Sequence, residues 1–305
     1  NSGALASTYW NIDSSGQAGD GGTSIGRTAA QMSRRSSFDG FAFGASPIWR
    51  IYDGYTTPML KAFLKPLQVT AAGQPASQVY DGQFASFNGT LAYLGLLDGD
   101  TAANGSLGFQ SARNVGNYDV TGLWSTKYDI SLGGTTTLAI TPRALTVSVG
   151  GSKVYDGQLG FANATFSLGN TVSGDTVGVT GSAQFVDKNA GSVKAVNLSE
   201  LTLSGDAMGN YSLAATAIGT AEITQRTLSL AFAGANKVYD RDTAAVVTIT
   251  DNRIANDVLT ATAIGEFADK NAGGNKVVTV RNASLSGTDA ANYVLASTTG
   301  ATNAT

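Results

Sequence analysis

Three short runs of this chain place an apolar residue at every second position. They read LQVTA at 67–71, LTVSV at 145–149 and LSLAF at 228–232. A period of two is typical of a β-strand that buries one face, so each run predicts a strand. A Val-Tyr-Asp triplet follows each run at a short distance and predicts the end of a second strand and a turn.

The triplets are the first landmarks of an internal repeat. Their tyrosines, Tyr80, Tyr155 and Tyr239, lie 75 and 84 residues apart. An Asp in a turn, a Phe, an Asn-x-Gly turn and a second Tyr then follow in the same order each time. In the second repeat these landmarks are Asp175, Phe185, NAG at 189–191 and Tyr211. A recurring order at a long period indicates tandem domains.

The repeat divides the chain into four predicted segments, at 1–65, 66–141, 142–224 and 225–305. The distance from the Asn of the Asn-x-Gly turn to the second Tyr is 14 residues in the first repeat and 22 in the other two. This difference predicts one shorter hairpin in the first repeat. The repeats contain no long run with a helical period of 3.6, so each is expected to be a small, mainly β domain.

The Tyr-Asp pairs of the triplets favour a structural interpretation over a catalytic one. A catalytic motif is needed once, whereas this motif is written three times, and Arg241 replaces its Gly in the third copy. Asp and Gly favour turns, and a Tyr can bury its ring while its hydroxyl bonds a backbone group. A strand end and a turn are therefore predicted at Tyr80–Asp81, Tyr155–Asp156 and Tyr239–Asp240. The later aspartates Asp100, Asp175 and Asp257 are expected to be ordinary turn residues.

The first 65 residues have a different pattern. A polar, Gly-rich stretch at 10–22 precedes residues 28–38, which predict a short helix with Thr28 as its cap. Residues 38–64 are dense in aromatic side chains. Trp49, Phe41 and Phe43 are expected to pack as the core of this segment, and a sugar-binding platform is the alternative. Tyr52-Asp53-Gly54 imitates the triplet, but the later landmarks do not follow it, so it is interpreted as a coincidence.

Composition narrows the possible functions. Only 13% of the residues are charged, the formal net charge is −3, and there is no Cys and no His. The charge balance argues against a nucleic-acid partner, which requires a basic surface. No apolar run is long enough for a membrane span, so membrane insertion is not expected. The lack of Cys and His removes the usual nucleophile, general base and soft metal ligands, so we expect no enzyme, no cofactor and no metal site.

The residue spacing does not support a calcium loop or a phosphate-binding loop. Asp98 and Asp100 begin a stretch that lacks the ligand spacing of a calcium loop. The stretch GDGGTSIG at 19–26 lacks the Lys and Ser or Thr of a phosphate-binding loop. Seven Asn-x-Ser/Thr sequons occur, and Asn88, Asn163 and Asn282 are the candidate glycosylation sites, although Asn in turns beside abundant Ser and Thr is the simpler explanation.

The ordered landmarks VYDG, DKNAG, NYxL and ITxR resemble the YDG and MBG repeats of large bacterial surface exoproteins. The second and third repeats resemble the YDG type, and the first, with its shorter hairpin, resembles the MBG type. Residues 38–64 resemble the joint that precedes such repeats in filamentous haemagglutinin-like adhesins.

This resemblance implies tandem β domains that are β-grasp-like or immunoglobulin-like. It also implies a structural or adhesive stalk at the bacterial cell surface or outside the cell, and an outer-membrane secretion partner for the full-length protein. The expected partners are a host-cell surface or a biofilm matrix polysaccharide. The alternative is a glycan-binding module that uses residues 38–64 or a groove between repeats.

Overall fold

The structure is a computed structural model that describes residues 8–17, 24–43, 47–213 and 217–305. It confirms the prediction of a mainly β protein built from several small sheets. The chain forms two compact units, residues 1–143 and 144–305. The first unit holds the N-terminal segment and repeat one (66–141), and the second holds repeats two (142–224) and three (225–305). The Gly-rich stretch at 19–26 lies mostly outside the described residues.

The N-terminal segment is mixed and has short elements. Strands β1 (Tyr9–Asn11) and β2 (Ile25–Arg27) pair in parallel, and β3 (Trp49–Arg50) and β4 (Met59–Leu60) pair antiparallel. The helices are α1 (Ile12–Ser15) and α2 (Ala29–Met32), and two 3-10 turns lie at Arg35–Ser37 and Lys61–Phe63. None of the helices in the described part of the chain is long and apolar enough to cross a membrane.

Thr28 caps α2 as predicted, through a capping box with Gln31. The helix expected over 28–38 is nevertheless wrong in length, because α2 ends at Met32. Serines at 33, 36 and 37 favour turns over helix interiors. The backbone N–H of Arg35 also bonds the carboxylate of Asp53 at 2.7 Å instead of continuing the helix.

Repeat one contains seven strands in two sheets. One sheet has the order β10-β5-β7 and the other has the order β6-β11-β9-β8. Leu67, Val69 and Ala71 of β5 are buried while their neighbours are exposed, which confirms the period-two prediction. The strands are β5 (Lys65–Ala72), β6 (Ser77–Val79), β7 (Thr90–Leu94), β8 (Gly108–Phe109), β9 (Gly116–Thr121), β10 (Tyr128–Gly134) and β11 (Thr137–Thr141).

Repeat two has the same topology, with sheets β14-β12-β17 and β13-β18-β16-β15. In its described part the only helical turn is Met208–Asn210, so two small sheets, rather than a helix on a sheet, define the fold. The long hairpin β15–β16 replaces the two-residue strand β8 of repeat one, which confirms that the hairpin of repeat one is the shorter one. The strands are β12 (Arg143–Gly150), β13 (Ser152–Val154), β14 (Thr165–Gly169), β15 (Gly178–Phe185), β16 (Gly191–Ser204), β17 (Tyr211–Leu213) and β18 (Ile218–Thr224).

Repeat three follows this plan in three sheets, β19-β25, β20-β22 and β21-β23-β24-β26, with a 3-10 turn at Ala290–Asn292. Its first strand is split at Ser229, whose N–H bonds the Asn252 side chain at 2.9 Å. The strands are β19 (Arg226–Leu228), β20 (Leu230–Gly234), β21 (Ala244–Ala245), β22 (Val247–Asp251), β23 (Thr260–Phe267), β24 (Lys276–Ser286), β25 (Tyr293–Leu295) and β26 (Gly300–Ala304).

One hydrophobic core runs through repeats two and three. Phe185, Val196 and Ile223 of repeat two lie in the same cluster as Leu228 and Tyr293 of repeat three. The ITQR segment at 223–226 spans the predicted boundary between segments 142–224 and 225–305. Its Ile223 and the following Leu228 are at most 1% exposed, so the chain is packed on both sides of this boundary. The two repeats are therefore continuous in their packing.

Candidate functional site

The KVYDG stretch of repeat two is a turn organised by its lysine. The Lys153 ammonium donates to the Asp156 carboxylate at 2.7 Å and to the carbonyls of Gln158 and Gly160 at 2.6 and 2.8 Å. Asp156 in turn accepts the N–H of Gln158, as expected for a turn aspartate. Because Lys153 is only 9% exposed along its side chain, the turn is held from the inside.

Repeat three builds the same turn with the same contacts. Lys237 donates to Asp240 and to the carbonyls of Asp242 and Ala244. Repeat one has Gln78 in place of this Lys, and Arg113 bonds the carbonyl of Gly82 at 2.9 Å instead. Asp81 still accepts the N–H of Gln83, so the predicted turn is confirmed in all three repeats.

The turn places the Tyr155 ring at the end of repeat two, facing repeat three. Tyr155 is fully buried, and its ring meets that of Tyr293 edge-on at 5.5 Å. Its hydroxyl was expected to bond a backbone group. It instead donates to the carboxylate of Asp257, at 3.0 Å from one oxygen. The bond spans 102 residues and joins the two repeats directly.

Asp257 is the centre of this junction. Its side chain is 3% exposed, and it accepts hydrogen bonds from Tyr155, from Tyr293 at 2.6 Å and from Lys188 at 3.2 Å. Burial on its own raises the pKa of Asp257, but the bonds from Tyr293, Lys188 and Tyr155 outweigh it and hold the pKa below its usual value. The prediction of an ordinary turn residue is therefore incomplete, because the carboxylate also joins two repeats.

The DKNAG loop of repeat two supplies the remaining contacts. Lys188 also lies 3.5 Å from Asp289, and the N–H of Ala190 bonds the Asn292 side chain at 2.8 Å. Asn292 further donates to the side chain of Asn189 at 3.2 Å. The side chains of Tyr155 and Asp257 raise the pKa of Lys188, so this lysine stays cationic beside the two carboxylates. The loop therefore binds polar side chains of repeat three.

One half of this junction, the bonded pair of the second Tyr and the turn Asp, exists in every repeat. We call this pair the receiving half. The second Tyr of each repeat donates to the turn Asp, from Tyr128 to Asp100 and from Tyr211 to Asp175, both at 2.5 Å. The same hydroxyls accept a backbone N–H, and Tyr293 accepts that of Ile254 at 2.9 Å. In repeat one, Lys127 also binds Asp100 at 2.9 Å, so the carboxylate proposed for a calcium loop is already paired. Among the described residues, no group of three His, Cys, Asp or Glu side chains could hold a metal ion.

Tyr52 of the N-terminal segment docks on repeat one. Its hydroxyl donates to the carbonyl of Tyr128 at 2.6 Å and accepts the N–H of Ile130 at 2.7 Å. Arg50 and Lys61 both pair with Asp129 on the same strand, at 3.2 and 3.1 Å. The later landmarks are missing after Tyr52, as predicted, but the Tyr itself is buried against the following repeat. Tyr52-Asp53-Gly54 therefore does not begin a further repeat, and its Tyr packs the N-terminal segment against repeat one.

The candidate ligand residues of the N-terminal segment form one aromatic cluster. Phe41 stacks on Trp49 with the ring centres 4.7 Å apart and on Phe38 at 5.4 Å, and Phe43 lies 5.9 Å from Phe41. The three predicted residues are therefore brought together and are half-buried by their neighbours. Their use as a sugar platform stays a prediction. The sequons at Asn88, Asn163 and Asn282 are exposed, and their glycosylation also stays a prediction.

The third Tyr of the repeat motif departs from the expected burial. Tyr239 is 55% exposed, whereas Tyr80 and Tyr155 are at most 2% exposed. The prediction of a buried ring is wrong for Tyr239, because none of the described residues packs on it as repeat three packs on Tyr155. Sequence reasoning missed the link from Tyr155 to Asp257, and no local signal marks it, because the two residues lie 102 positions apart.

The junction predicts a specific alkaline sensitivity. Burial and the hydrogen bond to Asp257 raise the pKa of Tyr293 to about 12, against 10.0 for a free tyrosine. The stability that Tyr293 contributes is thus complete below pH 10 and is lost as the pH rises to 12. In Tyr293→Phe, unfolding by denaturant should depend less on pH in this window, by up to about 1.4 kcal/mol per pH unit. Tyr239→Phe is the matched control and should keep the wild-type slope; an unchanged slope in Tyr293→Phe contradicts the assignment.

Comparison with known proteins places this arrangement in a family. The YDG domain matches residues 141–218 and again residues 224–300, which together make just over half of the chain. These ranges contain the Tyr155 turn, the DKNAG loops and the Asp257 centre. A search of curated proteins found no match. With two consecutive copies of the domain, the chain belongs to the YDG domain family.

Proposed function

We propose that this chain is a stalk segment of a large secreted bacterial surface exoprotein of the filamentous haemagglutinin-like kind. It acts at the cell surface or outside the cell, after export through an outer-membrane secretion partner. Its repeats carry a binding region toward a host cell or the biofilm matrix. The stalk has no catalytic role in this proposal.

The observation that carries the proposal is the continuous junction between repeats two and three. Leu228 and Tyr293 complete the core of repeat two, and the buried Asp257 is satisfied by donors from both repeats. A junction with a packed core and a paired buried charge resists bending and separation, because either movement exposes apolar surface and leaves the charge unpaired. A spacer requires this property more than it requires any particular surface.

The surface of the repeats also fits this role. The exposed faces of their strands carry Ser and Thr pairs, such as Thr180 with Thr202 and Thr262 with Ser284, at 2.9 and 3.0 Å. Charged residues are few and nearly balanced. A weakly charged, hydroxyl-rich surface gives little basis for nucleic-acid binding, and it limits contact between sheet edges.

The spacer role predicts that the length of the repeats matters more than their sequence. In bacteria that carry the full-length exoprotein, deletion of residues 142–305 should lower adhesion to host cells or matrix severalfold, because the binding region is no longer projected. Replacement of these residues by two unrelated tandem β domains of similar length should restore adhesion. Adhesion that stays low after the replacement contradicts the spacer role and points to a specific binding surface.

A second candidate function is glycan binding by the first unit. A groove of about 850 Å³ lies between residues 50–55 and repeat one. Its charged lining includes Asp53 of that range and, in addition, Arg34. Tyr55 stacks on Trp124 at 5.9 Å and keeps 54% of its surface exposed. An exposed aromatic face beside charged and polar groups is suited to stacking against a sugar ring. Within residues 38–64, this groove is lined by residues 50–55. Trp49 and Phe41, the candidate ligand residues predicted from the sequence, do not line it.

This candidate predicts that Tyr55→Ala abolishes retention of the chain on a matrix-polysaccharide or glycan array, because the stacking face is lost. Phe63→Ala is the matched control, since Phe63 is 81% exposed and does not line the groove. Equal retention of the two variants and the wild type, or no retention of the wild type, rejects this site.

A further inference from the structure

Repeat three exposes the set of side chains that repeat two uses to bind its neighbour. Tyr239, Lys270 and Asn271 stand at the positions of Tyr155, Lys188 and Asn189 in the repeat. Tyr239 is 55% exposed and Val238 is 89% exposed. Tyr239, Lys270 and Asn271 line a recess of about 100 Å³ together with Lys237 and Phe267. We call this surface the terminal face of repeat three, defined by Tyr239, Lys270 and Asn271.

The terminal face is already arranged for binding. Lys237 organises the Tyr239 turn through Asp240 and two carbonyls, as Lys153 does for Tyr155. Lys276 pairs with Asp269 and bonds the carbonyl of Asn271 at 2.6 Å, and Lys194 likewise pairs with Asp187 in repeat two. Contacts within repeat three therefore hold both loops in shape before any partner binds. Preorganised groups lower the entropy that binding must pay.

The junction between repeats two and three identifies the chemistry of the occupant. There, the hydroxyl of Tyr155 and the ammonium of Lys188 both bind the carboxylate of Asp257. The DKNAG loop pairs with an Asn side chain. The terminal face repeats this combination of one hydroxyl donor, one cation and one exposed loop N–H. Its complement is a carboxylate beside a Tyr and an Asn, which is the receiving half of a YDG repeat.

We infer that the terminal face is a docking site for the receiving half of a further YDG repeat, with the Asp of that repeat in the place of Asp257. The inference deepens the proposed stalk function and rests on it for its biological meaning. It makes the repeat a self-complementary unit, with a donor face at one end and a carboxylate face at the other. A stalk could then be extended repeat by repeat through the same junction.

One residue of the terminal face departs from the pattern, and the departure is compatible with docking. Arg241 has replaced the Gly found at position 157, and it has a left-handed φ of 67°. A Cβ at Gly157 would lie 3.4 Å from Ile254 of the next repeat, which is an ordinary contact. The Arg side chain therefore begins at the margin of the junction rather than inside it.

The register of the last strand sets the design of the test. Ala304 pairs with Lys276 as Ala221 pairs with Lys194, so Thr305 stands at the position of Glu222. A second copy of residues 223–305 that carries Tyr239→Phe, joined directly after Thr305, continues this register. The substitution in the copy makes the labelled peptide of the original Tyr239 unique in mass. The matched control adds only the two residues Ile223 and Thr224. It completes the strand beside Tyr239 without adding a repeat.

The experiment compares surface labelling of tyrosines in the two extended chains by mass spectrometry. In the control chain Tyr239 should be labelled readily, while the buried Tyr155 serves as the protected reference within the same molecule. In the chain with the appended repeat, labelling of Tyr239 should slow by at least about tenfold, a change equivalent to about 1.4 kcal/mol of local opening. Substitution of Asn for the Asp257 of the appended copy should restore much of the labelling.

Two outcomes overturn the inference. One is unchanged labelling of Tyr239 beside an appended copy whose own Tyr293 is protected and which is therefore folded. The other is an appended copy that does not fold, because repeat three folds against the equivalent face of repeat two. The labelling result is independent of adhesion, so failure of the stalk proposal in the replacement experiment and failure of this docking site are distinguishable.

Discussion

The side chain of Asp257 is only 3% exposed, and a buried charge requires hydrogen-bond donors or an opposite charge beside it. Two of its donors, Tyr155 and Lys188, come from repeat two, and the third, Tyr293, comes from repeat three. Removing either repeat from the other leaves this group without part of its hydrogen bonding. The constraint explains why the surrounding elements are fixed: the KVYD turn aims Tyr155, and the DKNAG loop positions Lys188.

Four lysines of repeats two and three hold the loops around this junction motif in shape. Lys153 and Lys237 each bind three oxygens of the turn that carries the first Tyr, and Lys194 and Lys276 each brace a DKNAG loop. Isolated surface ion pairs contribute little to stability. The pairs of Lys153 and Lys194 act differently, because they hold two loops of repeat two in the shape that repeat three contacts. In repeat two the motif thus connects two domains, and a connecting motif is expected to recur with the repeat.

The sequence alone could predict most of the fold. Alternation in 67–71 and 145–149, the Asn-x-Gly turns and the shorter hairpin of repeat one were all readable from local pattern. The link from Tyr155 to Asp257 was not, because the residues are 102 positions apart and a turn Asp looks ordinary in sequence. The exposure of Tyr239 was not readable either, since its motif matches that of the buried Tyr155 and only the presence of a neighbour separates them.

A double-mutant cycle between Tyr155→Phe and Asp257→Asn tests the central claim most directly, with the free energy of unfolding as the measured quantity. If the buried carboxylate joins the repeats, the two changes should be coupled by about 1 kcal/mol, because each removes the same bond. The pair Tyr239→Phe and Asp257→Asn should be additive and serves as the reference cycle. Additive effects of Tyr155→Phe and Asp257→Asn would contradict the account and leave apolar packing and the contacts of the DKNAG loop to connect the repeats.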